Sequence, residues 1–285
     1  MSAVLYYALI LPLSFLPMWV LHRISDFLCF LLYRIVGYRK KVVETNINNS
    51  FPDKSKEERI TIMRNFYRHF CDLVVESVKL FSISESQIRR RFTFTNAELL
   101  ERYYAQNKDI VLVGGHFNNW EILAVGIDQQ MKHKAVGIYM PLSSPFFDQK
   151  LRETRSKFGL HMIPTKVVAD FFAQTHDQAQ VVIFGADQSP TNTKKVLWTT
   201  FLHQETAVAL GAERYAKLYD LPVFFGTIHK IKRGYYSFDI QLVTDQPKST
   251  NDGFITEAHV ALLEKDIINE PQYWLWTHRR WKRKR

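Results

Sequence analysis

Beyond residue 81, short apolar runs alternate with stretches of helical character, and this alternation limits the possible folds more than any other feature of the chain. The runs cover 110–113, 135–139, 181–184 and 222–228, and helix-like sequence lies around 120–131, 146–158, 166–176 and 207–219. Each run has the length of a strand covered on both faces, and strands separated by helices pair in parallel through crossover connections. The pattern predicts α/β architecture with a largely parallel sheet, a further strand over 235–243 and a further helix over 254–269. Ahead of it, residues 55–81 read as one long amphipathic helix. Ser55 and Glu58 have capping-box spacing, and Ile60, Met63, Phe66, Tyr67, Phe70, Val74, Val78 and Phe81 follow the helical period.

The N-terminus adds a second constraint. Residues 3–21 form a run of 19 without a charge, ending at His22 and Arg23. As one helix the run would be about 28 Å long, close to the hydrocarbon thickness of a bilayer. Pro12 and Pro17 would kink it, which membrane helices tolerate. No basic segment precedes the run and no small-residue cleavage site follows, which argues against a removable signal peptide. Arg23, Arg34, Arg39, Lys40 and Lys41 come next, so the positive-inside rule puts the rest of the chain on the cytoplasmic side of the membrane. A second apolar stretch, 27–36, is too short to span and suits the interface. The alternative is a buried helical hairpin of a soluble domain. The expected division is therefore a membrane anchor with interfacial helices over 1–36 and one folded domain over 37–285.

A net charge of +10 calls for an anionic partner: nucleic acid, an acidic leaflet or a phosphorylated substrate. The tail from His278 to Arg285 places Trp281 among six basic residues. With an apolar segment at the other terminus, contact with lipid headgroups, at about 1 kcal/mol per basic residue near the surface, is favoured over nucleic acid. Cys29 and Cys71 match neither a disulfide framework nor a metal-ligand spacing and read as packing residues; no metal site is expected.

The strongest local signal is the segment from Asp109 to Glu121, DIVLVGGHFNNWE. A buried strand leads into Gly114 and Gly115, which permit a sharp turn, and His116 then sits where open α/β sheets place their ligands. Asn118 or Asn119 could cap a helix starting near Trp120, with Glu121 in its first turn. The Glu121 carboxylate can then meet the His116 Nδ1 proton, fixing the tautomer and leaving Nε2 as a base. A purely structural histidine–glutamate bond is the alternative.

At this segment the sequence resembles a known family. His-x4-Asp/Glu after a strand is the signature of glycerolipid-type acyltransferases, and Gly-Gly-His-Phe-Asn-Asn-Trp-Glu is similar to the branch of lipid A secondary (lauroyl/myristoyl) acyltransferases. The resemblance extends to Arg39–Asn46 with Ser50-Phe-Pro52, to Asp187-Gln188, and to the closing segment Pro271–Trp281, and so covers nearly the whole chain. It implies a glycerolipid acyltransferase-like sheet flanked by helices behind a membrane-anchoring helix. The implied reaction moves a fatty acyl chain from acyl-acyl carrier protein to a hydroxyl of a lipid A precursor. His116 and Glu121 are the implied catalytic pair, and no cofactor beyond that co-substrate is required. Acyl carrier protein, the glycolipid and the membrane are the expected partners, and nucleic acid is not. The family's basic position near 151–157 makes Arg152 or Arg155 a candidate phosphate ligand. Asn119, Asp187, Gln188 and Thr206 complete the candidate substrate-binding set, although Asp187 could instead cap a loop. Leu202-His203 departs from the family's second Phe and Gly, which puts the pocket shape in doubt. Glu213 reads as an acidic group supporting the site or as surface charge. The competing readings are the same chemistry on a lysophospholipid or aminolipid, and a membrane-anchored binding protein without catalysis.

Overall fold

The computed structural model describes residues 2–191 and 195–285. A seven-stranded sheet has the order β1-β9-β8-β2-β5-β3-β4, from β1 (Phe92–Phe94), β2 (Ile110–Gly114), β3 (Lys134–Tyr139), β4 (His161–Pro164), β5 (Gln180–Gly185), β8 (Val223–Lys232) and β9 (Tyr235–Thr244). Only β8 and β9 pair antiparallel; every other neighbouring pair is parallel. The expected α/β class and mostly parallel sheet are present. Residues 110–113 of β2 are all buried because both faces of the sheet are covered. Ile110 and Leu112 join the core beneath α4 (Trp120–Gly126), whereas Val111 and Val113 join the core beneath α6 (Gly211–Tyr219). That is the two-residue alternation of a strand.

The long helix is α3 (Lys56–Leu80), and both hydrogen bonds of its Ser55–Glu58 capping box are made. Helix α7 (Phe254–Asn269) lies within the range expected for it. Glu213 is buried, not surface charge, and its hydrogen bonds go to the start of α7. Its carboxylate accepts the Gly253 and Thr256 N–H groups at 2.5 and 2.9 Å and so closes the N-terminus of α7. A two-stranded hairpin, β6 (Val196–Phe201) and β7 (Gln204–Ala209), occupies sequence expected in part to be helical. Its turn is Leu202-His203, with φ of 49° and 63°. Both residues take the left-handed backbone that such a two-residue turn demands, with neither glycine nor asparagine present. Packing overrides that cost: Leu202 is buried beside Phe201, and its N–H donates to Glu264 Oε1 at 2.7 Å.

The expected membrane-anchoring helix is not one helix. Helical structure over residues 2–15 stops at Leu16, whose ψ of 148° is extended, and α1 (Met18–Phe30) starts after Pro17. Proline pushes the residue before it out of the helical region and lacks the N–H to continue the ladder. Among the described residues no helix is long and apolar enough to cross a membrane. These segments are instead fastened to α3 by polar groups. Ser25 Oγ donates to Asp72 Oδ1 at 2.7 Å, His22 Nε2 lies 3.2 Å from Glu76 Oε1, and Lys79 Nζ donates to the carbonyls of Ser14 (2.9 Å) and Leu16 (3.2 Å). Their other side is apolar and open to solvent: Val4, Phe15, Trp19, Phe27, Ile35 and Val36 are each more than 60% exposed. Cys71 is buried and Cys29 half-buried, neither in a disulfide.

Candidate active site

Strands β2 and β5 are neighbours in parallel register, with Gly114 opposite Gly185. Two residues beyond each glycine come His116 and Asp187, so the register alone brings them side by side at the carboxyl ends of the central strands, where α/β sheets bind ligands. The Asp187 carboxylate lies 2.6 Å from His116 Nδ1 through Oδ1, while Oδ2 accepts the His116 backbone N–H at 2.9 Å and Trp274 Nε1–H at 2.9 Å. Gly115 leaves room for this approach. A Cβ there would stand 2.8 Å from Leu263 Cδ1 and 3.4 Å from Asp187 Cγ.

The partner of His116 Nδ1 is thus Asp187, not Glu121. Glu121, in the first turn of α4, is held by Arg155 at the end of α5 (Pro145–Arg155). Arg155 Nε and Nη2 donate to its two oxygens at 2.9 and 2.6 Å, and Trp120 Nε1 donates to Oε1 at 3.2 Å. The expected Glu121–His116 hydrogen bond is absent because the bidentate arginine fork occupies the carboxylate. Glu121 nevertheless remains near enough to favour charge on the imidazole.

His116 is a quarter exposed and Asp187 is buried, so their charges interact through a medium of low polarity. Burial opposes a charged ring, but the Asp187 carboxylate outweighs it and holds the His116 pKa above the ordinary histidine value. Burial alone would raise the Asp187 pKa; the charge and hydrogen bonds of His116, with Trp274, instead hold it well below the usual carboxylate range. With Nδ1–H directed at Asp187, Nε2 carries the ring's lone pair and lies 3.2 Å from Gln188 Nε2, whose amide can donate to it. An imidazole so held can take a proton at Nε2.

The other expected residues divide by what they touch. Asn119, not Asn118, caps α4: its Oδ1 accepts the Ile122 N–H at 3.0 Å, and its Nδ2 donates to the buried Glu76 at 2.7 Å. Both ends of this side chain are occupied within the protein, so the expected substrate contact is replaced by a structural one. Arg152 is exposed and pairs with Asp148 at 3.2 Å, away from the histidine, while Arg155 is bound to Glu121; neither is a free phosphate ligand. Thr206 is buried on β7, where Trp281 Nε1 donates to its Oγ1 at 2.8 Å. Of the candidate set, Asp187 and Gln188 touch the His116 ring, and Glu121 with Arg155 flanks it.

The closing segment, which entered the sequence reading as a motif without an assigned role, supplies a floor to the site. Trp274 bonds Asp187, His278 Nε2 accepts the Ser189 N–H at 3.0 Å, and the buried Arg280 donates to the Ala207 carbonyl at 2.7 Å. Burial lowers the pKa of His278 to about 4, of His259 behind Asp187 also to about 4, and of Arg280 to about 10. Among the described residues no group of three or more His, Cys, Asp or Glu side chains converges as metal ligands would.

Comparison with known proteins gives a consistent result. Residues 1–283 match the family described as bacterial lipid A biosynthesis acyltransferase. The chain is 25% identical over 274 residues to the lipid A biosynthesis lauroyltransferase of Escherichia coli K12, covering 94% of this chain and 87% of that protein. It is 23% identical over 270 residues to the palmitoleoyltransferase of the same pathway in the same organism, covering 90% and 85%. A lipid A biosynthesis acyltransferase of Haemophilus influenzae is 23% identical over 252 residues, covering 87% and 79%.

Proposed function

We propose, because this chain belongs to the bacterial lipid A biosynthesis acyltransferase family, that it transfers a fatty acyl chain from acyl-acyl carrier protein to a hydroxyl of a lipid A precursor. The observation that carries the mechanism is the His116 ring, a quarter exposed and tied at Nδ1 to a buried carboxylate, which leaves Nε2 as its basic nitrogen. In the proposed step Nε2 removes the acceptor hydroxyl proton as that oxygen forms a bond to the thioester carbonyl carbon. The carbon–sulfur bond then breaks, and the imidazolium returns the proton to the departing thiolate. Asp187 keeps the tautomer and stabilises the transient imidazolium. The general-base contribution to such a step is about 10²–10⁴ in rate. Glu121 favours the charged imidazole, an effect that Arg155 opposes, and the Glu121–Arg155 pair fixes α4 against α5. The thiol is a good leaving group, so the scheme needs no metal, nucleotide or covalent acyl-enzyme.

The setting proposed is the cytoplasmic face of the inner membrane. The exposed apolar side of the N-terminal helices would lie in the lipid interface rather than span it, with Arg23 and Arg34 toward headgroups. The test is mass spectrometry of total lipids from cells lacking the gene and complemented with wild type or His116→Ala. A lipid A species short of one acyl chain, restored by wild type only, is expected. A shift in another lipid class moves the acceptor to a lysophospholipid or aminolipid. Restoration by His116→Ala would refute the mechanism.

A further inference from the structure

A groove of about 730 Å³ opens between α2 (Lys40–Ser50), the β6–β7 hairpin and the C-terminal segment. Its walls carry Lys41, Arg279, Lys282, Arg283, Lys284 and Arg285 against one carboxylate, Glu205, which lies 3.8 Å from Arg285. The other five cations have no carboxylate partner within 4.0 Å among the described residues. This contrasts with Arg152 and Arg155, whose charges are already met by Asp148 and Glu121 at 3.2 and 2.6 Å. Five uncompensated cations lining one cleft repel one another unless an anion enters it.

The groove is built rather than formed by a loose tail. Asn46 Nδ2 donates to the Trp276 and His278 carbonyls at 2.9 and 3.0 Å, and Trp281 is fixed to Thr206. It is also joined to the catalytic loop. Arg283 Nη2 donates to the Thr191 carbonyl at 2.9 Å, and His278 accepts the Ser189 N–H, one residue past the Gln188 that faces His116. The strip 187–191 therefore borders both the base and the basic groove.

We propose that this groove seats the phosphorylated sugar headgroup of the acceptor glycolipid and so delivers its hydroxyl to His116. The inference rests on the acceptor class proposed above and adds where its phosphates are read. Concavity decides among anions. All six cations are exposed, but they ring a concave cleft rather than a flat face offered to a leaflet, and a docked acidic protein needs a face of about 800 Å² per partner. A cleft within the usual range of roughly 300–1,000 Å³ for small-molecule sites instead fits a discrete polyanionic sugar. Arginine forks and lysine ammoniums at its walls supply the charge-assisted bonds that phosphate takes.

The test uses full-length protein in detergent and the variant Lys41→Gln/Lys282→Gln/Lys284→Gln. Those three side chains make no hydrogen bond among the described residues, so the fold should be spared, and an unchanged Tm verifies it. Acyl transfer is measured with a phosphorylated lipid A precursor and with the same lipid after phosphatase treatment. The variant should raise the KM for the phosphorylated acceptor by about tenfold or more. It should leave kcat and the donor KM unchanged, and variant and wild type should use the dephosphorylated lipid equally and less well than wild type uses the phosphorylated one. A raised donor KM with an unchanged acceptor KM would reassign the groove to the acidic carrier protein. Loss of sedimentation with phosphatidylglycerol vesicles, with acceptor kinetics intact, would make it a membrane contact. Either result overturns the proposal. If wild type acylates neither lipid, the acyltransfer reading falls on its own. Binding of the two lipids in micelles, followed by Trp281 fluorescence, then decides the groove: phosphate-dependent binding lost in the variant sustains it, and equal binding of both lipids refutes it.

Discussion

Replacing Asp187 with asparagine changes one atom at the centre of the site, and the surrounding donors dictate the result. Oδ2 accepts two N–H groups, from the His116 backbone and Trp274, each at 2.9 Å. The amide oxygen must occupy that position, since an NH₂ there would face two donors. The NH₂ then falls at the Oδ1 position, 2.6 Å from His116 Nδ1, and donates to it. The imidazole proton is forced onto Nε2, and the base facing the substrate is lost. The expected loss is that of general-base catalysis, about 10²–10⁴ in kcat, or roughly 3–5.5 kcal/mol of barrier. The acceptor KM should change little. The pH profile gives an independent readout. In wild type the His116 pKa lies above its ordinary value, so kcat/KM should fall as pH drops through a point above about 6.5. Without the carboxylate, burial dominates and the acid limb of the residual activity should move to lower pH. Stability follows from the same pair. The raised His116 pKa contributes stability fully present below about 6.5 and lost as pH rises through its folded value. The depressed Asp187 pKa contributes stability present above about 3.9 and lost as pH falls through its folded value. The Tm gap between wild type and Asp187→Asn should therefore be widest between about pH 4 and 6.5. Thiol release from acyl-acyl carrier protein measures the rate. A variant within threefold of wild type, with an unmoved acid limb, would show that Asp187 does not set the tautomer.

Glu121→Gln should lower kcat with little effect on acceptor binding, and its combination with Arg155→Met should show coupling of about 1–3 kcal/mol in urea unfolding, because the two form one bidentate pair. Additive effects would make the pair energetically idle. Asn119→Ala removes the α4 cap and a partner of buried Glu76, so it should cost about 1–2 kcal/mol in stability. A raised acceptor KM at unchanged Tm would restore Asn119 to the substrate site.

How much of this was legible follows from the range of each interaction. The α/β class, the helix over 56–80 and the position of His116 rest on periodicity and on a strand–glycine–glycine turn, which are local. Asp187 was visible as a residue at a strand end, but its role depends on β2 and β5 being neighbours in register, and their separation of 71 residues hides that. Glu121 misled for the same reason. A carboxylate five residues from a histidine looks like its partner until a third residue, Arg155, 34 positions away, takes it. The hairpin over 196–209 was missed because Leu202-His203 carries none of the turn chemistry that marks such a turn in sequence.

The N-terminal helices show the limit of hydropathy most clearly and lead to a prediction of their own. A run of 19 uncharged residues suggested a membrane anchor, yet charged residues that answer it lie on α3. Asp72, Glu76 and Lys79 are buried there, and the residues 1–36 supply each with a partner: Ser25, His22, and the carbonyls of Ser14 and Leu16. Glu76 also bonds Asn119 and Tyr236, so the chain of contacts runs from the N-terminal helices to the cap of the helix that carries Glu121. Deleting residues 1–36 strips the Lys79 ammonium of both its acceptors and uncovers the side of α3 on which they pack, including the buried Tyr67, whose ring lies 5.2 Å from that of Tyr33. One unsatisfied charged donor alone costs about 1–3 kcal/mol or more, and each uncovered side chain about as much again. The sum reaches the whole stability of an ordinary domain, about 5–15 kcal/mol. The truncated chain should therefore fail to give a cooperative thermal transition and should lose acyl transfer even in detergent. A truncated form that melts at the wild-type Tm and retains kcat would show that these helices serve only to hold the enzyme at the membrane.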